Sequence, residues 1–206
     1  GMELAQNKLT TVSGMAMGID TAAHRGALAA HGSTVAVLAT GLDVVYPTNN
    51  AQLRQQIIEQ GCLVTEAPLG TPPAAYLFPP RNRIISGLCR GVAVIEAAAR
   101  SGSLVTARMA TEQGREVFAV PAQAGNPYGL GSNQLLRQGA TYLEGITDIL
   151  QAFAWDIRPP RTFSSPPTTT PAPKIVAENS EAATVHAMLQ HGPVQGDELA
   201  RRCHLT

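Results

Sequence analysis

Cysteine is scarce in this chain of 206 residues: Cys62, Cys89 and Cys203 stand far apart, with no Cys-x-x-Cys pair and no neighbouring histidine. That spacing offers neither a zinc site nor a disulfide framework, so small buried thiols in a reducing compartment and no metal are expected. Aromatic residues make up only 4%, which leaves the core to Ala, Val, Leu and Ile. No run approaches the ~20 apolar residues of a membrane span, and no basic segment followed by an apolar one opens the chain, so a cytoplasmic protein with no membrane partner is expected. A surplus of positive charge is lacking too, since 15 Lys and Arg offset 15 Asp and Glu. A nucleic-acid binder usually carries a basic excess, so such a surface here must be local. The arginines are in fact clustered: Arg81, Arg83, Arg90, Arg100, Arg108 and Arg115 face only Glu96 and Glu112 over the same stretch.

What is present is a repeated unit of apolar run, small-residue loop and helix. Leu9–Val12 reads as a β-prone run that ends in Ser13-Gly14-Met15-Ala16-Met17-Gly18-Ile19-Asp20. Asp20 is placed to cap a helix over Thr21–Ala30 that Gly32 stops. Further strands are predicted over Ser33–Ala39, Cys62–Glu66, Gly91–Ala97, Arg115–Pro121 and Ala140–Leu143. Helices are predicted over Ala51–Gln60, from Pro79 or Pro80 to Cys89, and over Gly102–Gly114, Asn133–Gln138 and Thr147–Phe153. Continuous apolar strands alternating with helices predict an α/β fold, a Rossmann-like doubly wound and mostly parallel sheet. Such sheets bind ligands beyond the C-terminal ends of their strands, where all the Gly/Ser-rich loops fall.

Two of those loops carry candidate phosphate cradles. Gly14 and Gly18 are spaced by three residues, so the dinucleotide fingerprint is absent and no nicotinamide cofactor is expected; the glycines serve either a tight turn or a backbone cradle. Ser101-Gly102-Ser103 opens a helix, with Thr106 one turn on, and helix N-termini favour anions. Upstream lies Phe78-Pro79-Pro80-Arg81-Asn82-Arg83. Arg81 and Arg83 offer guanidinium donors, but two residues apart on a short helix they cannot face the same way, so one is open to an ion pair with Glu66 or Glu96. Phe78 is either a platform for base stacking or a core aromatic under the Pro-rich loop, and Asn82 is a candidate loop-fixing donor. His24 reads as a packing residue, since no nucleophile lies beside it.

From Arg158 the composition shifts to a Pro/Thr/Ser-rich stretch. The expected organisation is a Rossmann-like domain over 1–155, read as a binder of something phosphate-rich, a linker over 156–179 and the start of a small helical winged-helix-like module over 180–206.

In order, Ser13-Gly14-x-Ala16-x-Gly18-Ile19-Asp20 with His24, Gly41-Leu42-Asp43 with Tyr46-Pro47, Phe78-Pro79-x-Arg81-Asn82-Arg83-Ile84-Ile85-Ser86-Gly87-Leu88, Ser101-Gly102-Ser103-Leu104-x-Thr106-Ala107 and Gly114-Arg115-x-Val117-x-Ala119-Val120-Pro121 resemble the bacterial DNA-processing protein A family (DprA, also called Smf). The resemblance runs from about Leu4 to Leu150. It implies a mediator of natural transformation and recombination that binds incoming single-stranded DNA, protects it and loads the RecA recombinase, as a homodimer and without catalytic activity. The site it implies comprises Ser13, Gly14, Gly18, Asp20, Phe78, Arg81, Asn82, Arg83, Ser101, Gly102, Ser103 and Thr106. Family members begin with an earlier strand and a Gly-Ser/Thr-Arg loop, so the sheet is expected to lack a central member, and the C-terminal module to be truncated. Many relatives carry a basic residue where Met17 stands. The alternative is a nucleotide phosphoribohydrolase, or a sensor of a nucleotide ligand, of the lysine-decarboxylase-like group. That chemistry needs a glutamate after the turn, where Thr106, Ala107 and Arg108 stand instead.

Overall fold

The computed structural model describes residues 1–154; the expected linker and winged-helix-like segment lie outside the described residues. Strands β1 (Thr11–Ser13), β2 (Thr34–Val37) and β3 (Cys62–Val64) pair in parallel in that order, with Ala36 opposite Ser13 on one side and Leu63 on the other. Strands β4 (Gly91–Val94), β5 (Glu116–Ala119) and β6 (Thr141–Tyr142) form a second parallel sheet in the same manner. The fold is α/β and Rossmann-like. The single sheet expected from the strand pattern is divided into two three-stranded sheets with no ladder between them.

Helices α1 (Met2–Gln6), α2 (Ile19–Ala29), α3 (Ala51–Gln60), α4 (Phe78–Leu88), α5 (Gly102–Glu112), α6 (Leu130–Arg137) and α7 (Ile146–Phe153) fill the connections. Under the first sheet Met15, Leu28, Ala36, Leu38, Leu53 and Ile57 form one core cluster. Under the second, Val94, Ala97, Ala107, Ala110 and Val117 form another, flanked by Leu104 and Leu135. Phe118 is the one aromatic among the largest fully buried side chains of the described residues. The aromatic-poor composition therefore yields two thin aliphatic cores, and small Ala side chains let the helices lie close to the strands. Helix α4 touches both β1 and β2 and packs along α5, so it spans the two sheets.

Helices α2, α6 and α7 start away from the predicted residue, whereas α3 starts at Ala51 as read even though Asn50 spends its side chain elsewhere. Helix α2 begins at Ile19 after Gly18, which takes φ 88°. Asp20 therefore sits inside the first turn, not at the cap. Asn50 precedes α3, but its side chain caps nothing there and donates instead to the Met15 carbonyl at 3.0 Å and the Thr21 hydroxyl at 2.8 Å. Helix α6 starts at Leu130, three residues before the predicted Asn133, because Asn126 accepts the Tyr128 N–H and leads a 3-10 turn into it. Helix α7 starts at Ile146, one residue before the predicted Thr147. Asp148 in its first turn accepts the N–H groups of Glu144 and Gly145, and these bonds hold its carboxyl below the usual carboxylate value.

Candidate nucleic-acid interface

The loop from Ser13 to Asp20 leaves β1 at its C-terminal end and is fixed from within. The Asp20 carboxylate accepts the N–H of Gly14 at 3.0 Å and of Ala16 at 3.2 Å. The Thr21 hydroxyl donates to the Ala16 carbonyl at 2.8 Å, and Asn50 holds the Met15 carbonyl. Met15 itself is buried at φ 61°, a conformation that costs a non-glycine residue about 1 kcal/mol or more and persists only when its surroundings impose it. Two backbone donors of the expected cradle thus turn inward to Asp20. The Met17 and Gly18 N–H groups have no partner among the described residues and lie on the exposed side of the loop, at the start of α2.

Arg81 and Arg83 part company as their spacing demands. Arg81 is 8% exposed, and its Nη1 donates to the Gly14 carbonyl at 2.8 Å and to the Val37 carbonyl. Its Nε donates to Asn82 Oδ1 at 3.2 Å, which makes Asn82 an acceptor, not the donor expected. Burial lowers the Arg81 pKa from its ordinary value, with the Asp20 carboxylate opposing that shift. Arg83, with its side chain 52% exposed, pairs with Glu66 at 2.6 Å, one of the two acids the sequence offered. An exposed pair of this kind is worth only ~0–1 kcal/mol. Arg83 can therefore exchange Glu66 for a phosphate at little cost, whereas moving Arg81 would strip two carbonyls of their donor.

Phe78 is half-buried at the start of α4. The Arg81 guanidinium stands 5.6 Å from its ring centre, and the Tyr46 ring, tilted by 53°, is 6.1 Å away. Phe78, Tyr46, Pro47, Met15 and Leu38 wall a cavity of about 230 Å³ beside the Ser13–Gly18 loop. That is below the ~300–1,000 Å³ of sites for drug-sized ligands, and suits a single ring system better than a dinucleotide. Tyr46 was not among the sequence-predicted site residues. Its signal was the Tyr-Pro dipeptide in the loop after β2, where the peptide bond is cis.

The third group stands apart. Ser101 caps α5 by accepting the Ser103 N–H at 3.2 Å; Gly102 and Ser103 are exposed, and Thr106 is half-buried one turn on. No hydrogen bond joins this turn to the Ser13 or Phe78 groups among the described residues. Helices α4 and α5 nevertheless lie side by side, tied by Gln113 to the Arg83 carbonyl and by Arg115 to the Gly87 carbonyl. A larger cleft of about 690 Å³ opens between α5, α6 and β5. Its lining, which includes Leu104, Ala107 and Arg108, holds none of the sequence-predicted site residues.

His24 is fully buried in α2. Thr34 spends its hydroxyl hydrogen on the Thr11 carbonyl, so the 2.7 Å contact to His24 makes Nδ1 the protonated nitrogen. Burial pushes its pKa down to about 4, against the pull of Asp20. It braces β1 and β2, in line with the packing role its sequence context suggested. Among the described residues no cluster of His, Cys, Asp and Glu could hold a metal ion.

A buried arginine ties the loop after β1 to the end of β2, with an exposed arginine further along the same helix and a small cavity walled by Phe78 and Tyr46. The sequence model of the family described as DNA recombination-mediator protein A matches residues 1–154. The chain belongs to that family. Among relatives, it is 46% identical to Protein Smf of Escherichia coli (strain K12) over 190 residues, 88% of this chain and 51% of that protein. It is 47% identical over 148 residues to the DNA processing protein DprA of Streptococcus pneumoniae (strain ATCC BAA-255 / R6), 72% of this chain and 52% of that one. The chain thus spans about half the length of these recombination-mediator relatives. Among solved structures, DprA from Streptococcus pneumoniae superposes with a TM-score of 0.68 at 45% identity, over 73% of this chain and 53% of that one. DNA processing protein A from Helicobacter pylori, described for its single-stranded DNA binding mode, gives 0.68 at 32% identity, over 75% and 70%. No helix among the described residues is long and apolar enough to cross a membrane.

Proposed function

We propose that this chain binds single-stranded DNA along the C-terminal ends of its strands, as part of a recombination mediator. The observation that carries the reading is helix α4, which brings Phe78 and Arg81 to the wall of the Tyr46 cavity and, further along, carries Arg83 in an exposed ion pair. A cation for the backbone and an aromatic wall for a base are the two components of sequence-tolerant single-strand binding. The outward N–H groups at the start of α2 and the Ser101–Ser103 turn add neutral phosphate contacts, in keeping with a chain of zero net charge. The single-strand binding described for the Helicobacter pylori relative supports the choice of ligand.

Protection of incoming strands, RecA loading, a role in natural transformation and a homodimeric state complete the proposal, and family membership supports them. The phosphoribohydrolase alternative requires a glutamate after the Ser101 turn, and Glu96 precedes it. Glu112, the glutamate of α5, lies at the opposite end of that helix, 3.6 Å from Arg108. The test is an electrophoretic shift with single- and double-stranded oligonucleotides across a range of salt. Preferential retardation of the single strand, weakening steeply as salt rises, is expected. Equal binding of both forms, or salt-insensitive affinity for a mononucleotide with release of free base, would overturn it.

A further inference from the structure

We propose that Arg81 is a positioning residue, clamping the Gly14 peptide so that the Ser13–Gly18 loop and the Phe78 ring are preset for a strand, and does not itself contact phosphate. The proposal rests on the single-strand reading and assigns a role that the Arg-Asn-Arg sequence alone conceals.

The Gly14 peptide is gripped on both sides. Its N–H goes to Asp20 and its carbonyl to Arg81, and the same Arg81 nitrogen reaches back to Val37 at the end of β2. A Cβ on Gly14 would stand 2.8 Å from the Arg81 guanidinium carbon. The glycine is therefore needed for the guanidinium's approach, as much as for any approach of a ligand. The far face of the same guanidinium covers Phe78 at 5.6 Å. One side chain thus links a loop of the first sheet, the end of a neighbouring strand and the aromatic wall of the cavity. Nη1 and Nε are engaged and the residue is 8% exposed, so the guanidinium meets the cavity as part of its wall and not as a free charge.

Gly14→Ala tests this without altering charge. The clash falls on the tip of a flexible side chain, so the fold can yield while the guanidinium is displaced. Arg81→Met removes the charge but keeps an apolar stem over Phe78. Binding of a labelled oligothymidylate to the full chain is measured at several salt concentrations, at a temperature where circular dichroism shows each variant folded. Both variants are expected to bind about tenfold more weakly, the order of one lost stacked base, with the slope of log K against log salt unchanged. Arg83→Ala, run beside them, is expected to flatten that slope by about 0.7, one phosphate contact on a single strand. A slope flattened by Arg81→Met would make Arg81 a direct phosphate contact, and wild-type affinity in Gly14→Ala would remove the clamp; either overturns the proposal. Variants unfolded at every temperature would assign the clamp to stability alone and would overturn it equally. A wild-type chain that binds no strand would overturn the single-strand reading first, and the clamp's role with it.

Discussion

Arg83 and Arg81 carry the same group two positions apart, and their surroundings give them opposite duties. Arg83→Ala removes a pair worth at most ~1 kcal/mol, so urea unfolding should be nearly unchanged while single-strand affinity falls. Unchanged affinity would remove Arg83 from the surface. The divergence was legible in the sequence, since residues two apart on a helix face different ways. Which arginine turns inward was not, because that depends on the Cβ missing from Gly14, 67 positions upstream. His24 supplies a second residue-scale expectation. Its folded pKa of about 4 lies below the ordinary 6.5, so on acidification the unfolded chain takes the proton first. Its contribution is complete above about pH 6.5 and is lost as pH falls toward 4, by roughly 3 kcal/mol at the bottom of that window. Urea melts at pH 7 and pH 4.5 should show a larger loss in the wild type than in His24→Gln; equal losses would mean that other groups set the acid response.

At the scale of elements, the strands were the most readable part, because buried parallel strands write themselves as uninterrupted apolar runs. Most of their ends were overestimated by one to three residues, as in Gly91–Ala97 against Gly91–Val94, since Ile95 and Ala97 continue the apolar pattern after the ladder stops. Helix starts differed at α2, α6 and α7, predicted from Thr21, Asn133 and Thr147. Asp20 bonds back into the loop that leads into its own helix, while Asn50 bonds to the Met15 carbonyl far upstream, a partner that sequence spacing does not reveal. Helix α1 escaped notice because five residues are too few to show a period. Ser101, by contrast, does cap α5 with its own hydroxyl. Ser101→Ala should cost about 1 kcal/mol in chemical denaturation, and Ser101→Gly only a fraction of that. A loss no larger for alanine than for glycine would show that the hydroxyl contributes nothing to the helix.

For the whole molecule, zero net charge is reconciled with a charged ligand by placement: acids are spent on internal duties at Asp20, Asp43 and Asp148, while arginines cluster along α4 and α5. The doubly wound plan was legible, and among the described residues its strands fall in two three-stranded sheets with no ladder between them. That division has a thermodynamic consequence. With no ladder between β1–β2–β3 and β4–β5–β6, the two halves share no row of backbone hydrogen bonds, and α4 with its Arg81 tie is a principal bond between them. Each half has its own aliphatic cluster and can open as a separate cooperative unit. Native-state hydrogen exchange should therefore resolve two free-energy levels among the strand amides, one per sheet, and a single common level would show that the halves melt as one. A DNA single strand bound across both halves would raise the lower level toward the higher, so that binding reads out as uniform slowing of exchange.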